Sequence, residues 1–246
     1  MDLNGKSIVV TGGARGIGFA NVRTLLDRGA DVTFCARSEA SVAEALGRLG
    51  DGHRPAAVAA DVTTADGAEA VVRAALDRFG AIDGLVANAG LYGETPIGQT
   101  SAASWRAVLD DNLTSTFISV QAALPSLRAG GGAVVTIAST NGVRGIPGGT
   151  SAYGAAKAGV VNLTESLALE LAPDVRVNCI APGFIETEKL HQMEGAADLI
   201  ETLSKITPAA RFGRTEEIAH AVTFALENEF LVGATLNVDG GRGVGA

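Results

Sequence analysis

The sequence predicts a doubly wound parallel α/β sheet with helices on both faces and a small helical lid, built as one domain over residues 1–246. Three observations predict it. Short β-branched or apolar runs alternate with stretches of helical periodicity along almost the whole chain. The runs are continuously apolar, which is the pattern of strands covered on both faces. A length of 246 residues with 47% hydrophobic side chains suits one large α/β unit. Strands that alternate with helices form parallel βαβ units with right-handed crossovers, and such sheets bind ligands beyond the carboxyl ends of their strands.

The elements follow in order. Residues 7–11 (SIVVT) form the first strand. Residues 16–28 follow as a helix, with Ile17, Phe19, Ala20, Val22, Leu25 and Leu26 on its apolar face. Residues 31–36 (DVTFCA) are the second strand, 38–49 the second helix and 56–60 the third strand. A helix over 65–79 buries Val71, Val72, Ala75 and Leu76, and residues 84–87 form the fourth strand, which exits through Asn88, Ala89 and Gly90. One long helix is expected over 102–127, with Pro125 near its end. The apolar strand 133–138 (AVVTIA) precedes a helix over 151–171 that Pro173 stops. A sixth strand over 175–180, a helix over 215–226 and a last strand over 235–238 complete the pattern. Residues 184–211 break the alternation and read as a helical lid, where mobility and substrate choice would reside.

Bulk properties exclude several classes. Net charge is −8, so a phosphate backbone is repelled and nucleic acid is not an expected partner. No apolar stretch approaches the ~20 residues of a membrane span, and the start M-D-L-N-G-K enters the first strand with no secretory signal, so a cytoplasmic location is expected. Cys35 and Cys179 both lie in apolar strands, which argues for a reducing compartment and against a disulfide framework. No His or Cys cluster suggests a metal. A mean hydropathy of +0.26 points to apolar surface covered by sister subunits, although a large apolar sheet would raise the same index.

The first strand runs into T-G-G-A-R-G-I-G, with Gly12, Gly16 and Gly18 spaced G-x-x-x-G-x-G at the start of a helix. Glycines allow a tight turn and a close approach of backbone to pyrophosphate, and the helix N-terminus, beginning at Gly16 and Ile17, offers free N–H donors. The motif in this position predicts a dinucleotide site; a glycine-rich turn with no ligand is the plainer alternative. The tip of the second strand selects the cofactor. A carboxylate there would bind a ribose 2′-hydroxyl, whereas Arg favours a 2′-phosphate. Here it reads Cys35-Ala36-Arg37-Ser38, with Arg15 in reach from the glycine turn, so NADP(H) is expected. Arg37 could instead be a solvated residue at a helix start. Asp61 and Val62 end the third strand, where Asp61 either caps a helix or meets the adenine edge. The small residues of Asn88-Ala89-Gly90 leave room for the adenosine ribose.

Tyr153 and Lys157 stand at i and i+4 of one helix and share a face. A Tyr hydroxyl titrates near ~10, and a neighbouring ammonium favours its phenolate. Such a pair can exchange protons as general acid and base. Ser139 ends the fifth strand and could hold a substrate oxygen beside Tyr153. All these groups fall at the carboxyl side of the expected sheet.

Together these pieces resemble the short-chain dehydrogenase/reductase family over essentially the full length. The matching residues, in order, are TGGARGIG (11–18), ADV (60–62), ANAG (87–90), Asn112, Ser139, YGAAK (153–157), VNCIAPGFIET (177–187) and GATLNVDGG (233–241). The resemblance implies a Rossmann-like fold, a Ser139, Tyr153 and Lys157 triad, and Asn112 holding a water that links Lys157 to solvent. It implies that Lys157 binds the nicotinamide ribose and that, in Pro182-Gly183-Phe184-Ile185-Glu186-Thr187, Ile185 and Thr187 meet the carboxamide. It also implies a small carbonyl or alcohol substrate and a homotetramer (or homodimer). Members that act as 3-oxoacyl-carrier-protein reductases are among those resembled. Ser139 lies 14 positions before Tyr153, one more than in many members. Thr140 could therefore compete, but Gly142 three residues on completes the usual S-x-x-G and favours Ser139. An NAD-dependent alcohol or sugar dehydrogenase is the alternative within the family, and a non-catalytic nucleotide-binding protein the alternative outside catalysis. Leu91 and Tyr92, residues 144–147 and residues 191–193 are expected to face the substrate.

Overall fold

A computed structural model describes residues 1–244. Seven parallel strands form one sheet. They are β1 (Ser7–Val10), β2 (Asp31–Ala36), β3 (Ala56–Ala59), β4 (Gly84–Ala87), β5 (Ala133–Ile137), β6 (Arg176–Pro182) and β9 (Thr235–Val238). Their order is β3-β2-β1-β4-β5-β6-β9, so the chain winds outward from β1 in one direction and from β4 in the other. The switch in order falls between β1 and β4, where ligands of such sheets bind. The expected doubly wound sheet is observed, with strand ends shifted by one or two residues.

The helices are α1 (Gly16–Asp27), α2 (Glu39–Leu49), α3 (Ala65–Phe79), α4 (Ala102–Leu109), α5 (Ser115–Gly130), α6 (Thr140–Val143), α7 (Ser151–Leu171), α8 (Glu188–His191), α9 (Ala196–Lys205) and α10 (Thr215–Glu227). Successive strand residues point to opposite faces, and the core divides accordingly. Ile8 and Val10 of β1 pack with Phe19, Val22 and Leu25 of α1 and with Ile218 and Val222 of α10. Val9, between them, faces Val71 of α3, Val120 and Leu127 of α5, and Leu171 of α7. Both faces are therefore dry, which is why the strands read as unbroken apolar runs.

The long helix expected over 102–127 is interrupted. A turn of π-helix, Asp110–Thr114, joins α4 to α5. Its widened backbone is met by hydroxyls of the following turn. Ser115 Oγ donates to Asp111 O at 2.8 Å and Thr116 Oγ1 to Asn112 O at 3.2 Å. The break in alternation after β6 is also observed. It holds α8, α9 and two two-residue strands, β7 (Ile185–Glu186) and β8 (Gly213–Arg214), which pair in parallel. Among the described residues no helix is long and apolar enough to cross a membrane, and no three His, Cys, Asp or Glu side chains are grouped to hold a metal. Cys35 and Cys179 are free and buried.

Candidate active site

The glycine turn is shaped by close approach. Gly12 and Gly16 have φ of +65° and +52°, conformations that a side chain strains. A Cβ on Gly18 would stand 2.1 Å from the Gly12 carbonyl oxygen, and one on Gly13 2.6 Å from Phe34 Cβ. Gly13 N–H donates to Cys35 O at 2.9 Å, which ties the turn to the end of β2. No acidic residue occupies the first turn of α1, so its free amides meet no competing carboxylate. Gly16 lies opposite Thr187, whose methyl would stand 3.4 Å from a Cβ there. The turn and the segment after β6 thus come close together at the carboxyl ends of the strands. These features fit a pyrophosphate group.

Several residues expected to touch a cofactor also bond within the protein. Asn88 donates its side-chain amide to Thr11 O at 3.0 Å and Gly12 O at 3.2 Å, and Thr11 Oγ1 accepts from the N–H groups of Asn88 and Ala89. Asn88 therefore staples the glycine turn to the exit of β4. Ser38 caps α2, accepting from Ser41 N–H. Asp61 does not cap α3, since Thr64 does; Asp61 Oδ1 accepts from Thr63 N–H at 3.0 Å and hydroxyl at 2.8 Å. These bonds hold its carboxyl below the ordinary range. The Val62 side chain is buried in the core on the α3 and α5 face of the sheet, and Ile17 packs against the core on the opposite face. Gly183 is required by the turn beside it, because a Cβ would lie 2.7 Å from Asp239 Cα. Pro182 O accepts from Thr140 Oγ1, and Ile185 forms β7.

At the tip of β2 the two arginines differ. Arg15 flanks α1 and is exposed, while Arg37 reaches across to Asp111 Oδ1 at 3.4 Å. Burial raises the Asp111 carboxyl against the pull of Arg37, with Asp61 and Asp110 adding repulsion. Asp111 was not foreseen from sequence, and only its place beside Asn112 marked it.

The catalytic candidates converge at the ends of β4 and β5. Ser139 Oγ accepts from Asn141 N–H at 3.2 Å and starts α6. Its own hydrogen remains free to be donated, and the hydroxyl lies against the Tyr153 phenol. Burial pushes Tyr153 up to about 12, and the Ser139 contact pulls the other way. The lowering expected from Lys157 is not what governs Tyr153 here. Lys157 Nζ stands 5.8 Å from the Tyr153 ring centroid and donates to Ile137 O at 2.9 Å. Lys157 is buried, which pushes it down to about 8. Gly90 leaves the space beside it, since a Cβ there would be 3.2 Å from Lys157 Nζ and 2.6 Å from Asn112 Oδ1.

Asn112 is 1% exposed and sits in the π-turn. It donates to Leu91 O and Val108 O, both at 3.0 Å, and accepts from Leu91 N–H at 3.2 Å. Both amide hydrogens are spent, so acceptor capacity is what Asn112 still offers toward Lys157.

On the substrate side, the Tyr92 ring meets Tyr153 edge-on, with centroids 5.1 Å apart at 78°. Residues 144–147 follow α6, the short helix that Ser139 starts. They line a cavity of about 680 Å³ with Ile97, Ala155 and Ala158, and Ser139, Tyr153 and Lys157 do not line it. Its lining comes from α6, the loop before α7 and the first turns of α7. His191 and Met193 are exposed. Arg242, absent from the sequence-based set, enters the mouth beside Tyr92 and Phe184.

Known proteins resemble this chain over nearly its full length. Residues 12–242 match the family model described as enoyl-(acyl carrier protein) reductase. The chain is 37% identical over 243 residues to a 3-oxoacyl-[acyl-carrier-protein] reductase of Chlamydia muridarum, with 96% of each chain covered. It is 40% identical over 238 residues to cis-4-hydroxycyclohexanecarboxylate dehydrogenase of Sinomonas cyclohexanicum, covering 95% of this chain and 94% of that one. A short-chain oxidoreductase of Pseudomonas aeruginosa PAO1, solved with NADPH and described as having an atypical catalytic center, superimposes with a TM-score of 0.91 at 33% identity, over 96% of each chain.

Proposed function

The chain belongs to the short-chain dehydrogenase/reductase family, and from that premise we propose that it is an NADP(H)-dependent oxidoreductase interconverting a ketone or aldehyde with its alcohol. The observation that carries this reading is the meeting of Ser139, Tyr153 and Lys157 at the same end of the sheet as the glycine turn and Thr187. NADP(H), when bound, supplies or accepts the hydride. The turn over Gly12, Gly16 and Gly18 would hold its pyrophosphate, Arg15 and Arg37 its 2′-phosphate, and Lys157 its nicotinamide ribose.

The chain's own residues handle the proton. Tyr153 gives its hydroxyl proton to the substrate oxygen in reduction and recovers one in oxidation. Ser139 holds that oxygen by donating its free hydrogen. A phenol raised to about 12 is a reluctant donor, so a countercharge must develop beside the phenolate. Lys157, titrating at about 8, carries that charge at neutral pH and can also pass a proton inward. Asn112 fixes Leu91 and the floor of the site.

The reading extends to a cytoplasmic homotetramer. Two buried free thiols suit a reducing compartment. Phe117, Leu169 and Phe224, at 45%, 85% and 46% exposure, suit burial between subunits. The hydroxycyclohexanecarboxylate dehydrogenase among its relatives makes a cyclic or linear secondary alcohol the first substrate class to try.

The test is titration of the protein with NADPH and NADH by nicotinamide fluorescence, followed by ketone-dependent oxidation of the cofactor that binds. Tight NADPH, weak NADH and ketone-dependent turnover are expected. Tight NADH alone would move the chain to the NAD-dependent alternative, and binding without turnover on any ketone or alcohol would leave a nucleotide-binding protein. A solution mass near four times 24.8 kDa is expected, and a monomer would overturn the assembly.

A further inference from the structure

The mouth of the catalytic cleft has two aromatic walls. Tyr92, from the loop after β4, contacts the Tyr153 ring. Phe184, from the exit of β6, stacks on Phe212 with centroids 5.2 Å apart. Arg242 stands between them. Its guanidinium lies 3.6 Å from the Phe184 ring centroid, and its charge is felt at the Tyr92 hydroxyl.

The turn that carries Arg242 is held rigidly. Asp239 Oδ1 accepts from Gly241 N–H at 2.9 Å, and Oδ2 from Gly243 N–H at 2.7 Å. Gly240 and Gly241 take φ of +63° and +88° to make the bend. Gly183 packs against Asp239, and Gly243 approaches the Thr140 methyl, next to Ser139. Asp239 therefore gives each oxygen to a backbone amide, and its charge reaches Arg242 only from beyond ion-pair distance. Among the described residues no carboxylate lies within 4 Å of the Arg242 guanidinium. Glu94, the carboxylate of this rim, is exposed and bonded to the Tyr92 hydroxyl.

A guanidinium in contact with an aromatic face keeps its N–H donors in its own plane, where a planar carboxylate can take two of them. Stacking on Phe184 thus orients the fork without using it. The cation is separated from Tyr153 by one aromatic ring, so the anion it meets must be part of the substrate's own short carbon frame. A distant phosphate on a long carrier arm would not reach back to this place.

We propose that Arg242 binds a carboxylate carried by the substrate, so that the chain reduces oxo acids in preference to neutral ketones. The proposal rests on the catalytic reading of Ser139, Tyr153 and Lys157. A charge-assisted pair at a half-buried site should favour the acid by roughly 10- to 100-fold.

The test compares wild type, Arg242→Met and Arg242→Lys in NADPH-dependent reduction of 4-oxopentanoate, 5-oxohexanoate and 4-oxocyclohexanecarboxylate, each beside its methyl ester. The readout is the acid-to-ester ratio of kcat/KM, in which any general loss cancels. The ratio should exceed about 10 for at least one pair in wild type. It should fall toward unity in Arg242→Met, chiefly through KM, and recover in part with Lys, which restores charge without the fork. A wild-type ratio near unity, or one that Arg242→Met leaves unchanged, overturns the inference while the catalytic reading stands. If no ketone is turned over, the catalytic reading fails. Calorimetric titration of the NADPH-loaded protein with the same acids then decides the inference: binding lost in Arg242→Met supports it, and absent or Arg242-independent binding refutes it.

Discussion

Arg37 cannot pair fully with Asp111 and with a 2′-phosphate at once, and Asp111→Asn should show what that competition costs. The two side chains meet at 3.4 Å. Coulomb attraction at that distance is about 1 kcal/mol in water and about 5 kcal/mol at an effective dielectric of about 20. The side chains are 52% and 24% exposed, so the aqueous end applies, and exposed pairs are worth about 0.2–1 kcal/mol when measured. Removing the carboxylate also removes its repulsion of the incoming phosphate, a term of similar size. Together about 1–2 kcal/mol is returned to NADPH, a tightening of roughly 5- to 30-fold. NADH, which lacks the phosphate, should change by less than about twofold, and the gain should shrink in 0.5 M salt, where the Debye length is only a few ångströms. Fluorescence titration of both cofactors at two salt concentrations measures this. Weaker NADPH binding in the variant would mean that Asp111 aims Arg37 and does not hold it back. An equal gain for NADH would mean that the effect is not at the 2′ position.

Tyr153→Phe should lower kcat/KM for ketone reduction by roughly 100- to 10,000-fold, the range of a lost general acid, while NADPH affinity stays within about twofold; activity within tenfold of wild type would remove Tyr153 from the mechanism. Gly18→Ala places a Cβ 2.1 Å from the Gly12 carbonyl oxygen, so the turn must open, and denaturant unfolding should show a loss of about 2 kcal/mol or more; an unchanged midpoint would contradict the closeness of that turn. Lys157, at about 8 in the folded chain against 10.5 unfolded, leaves the unfolded state with more bound protons between those values, so its contribution to stability should climb with pH from about 8 to 10.5, by about 3 kcal/mol, read as the difference between wild type and Lys157→Met because the Cys35 thiol, pushed up to about 11 by burial, acts in the opposite sense from pH 9. Tyr153, raised from 10 to about 12, keeps in the folded chain a proton that the unfolded chain loses, so stability should fall from pH 10 to 12. Thermal unfolding across pH 7–12 checks both limbs, and Lys157→Met should abolish the climb alone.

The order of elements was legible because each strand is covered on both faces and each helix on one. Val9 and Val10 go to opposite cores, so β1 had to read as an apolar run. The catalytic side chains were legible because Tyr153 and Lys157 share one face of α7 and Ser139 ends β5. What escaped was tertiary. β7 and β8 are two residues each, too short for any period to register. The π-turn left only an indirect trace, a run over residues 110–116 that is polar except for Leu113. Those hydroxyls satisfy carbonyls that the widened turn releases. Asn88 and Gly183, expected at a cofactor, also brace the protein itself, Asn88 by bonds to the glycine turn and Gly183 by packing on Asp239, and spacing alone does not reveal this. Asp111 and Arg242 reach the site only through pairs and stacks distant in sequence, Arg37 being 74 positions from Asp111.

The π-turn also explains why cofactor choice and catalysis meet in one short segment. Asp111 and Asn112 are adjacent, yet one faces the tip of β2 and the other is buried against the exit of β4. Adjacent residues on a helix diverge in direction, so a single turn can serve both places only where it passes between them. The Asn112 bonds to Leu91 and Val108 hold it there, and Gly90 is small so that Asn112 and Lys157 can close in from two sides. A change at Asn112 should therefore act on both functions: releasing Leu91 loosens the floor beneath Lys157 and lets Asp111 drift from Arg37. If Asn112→Ala lowered turnover while the ratio of NADPH to NADH affinity held constant, the two roles of the turn would be separable, and the shared geometry argued for them would be coincidence.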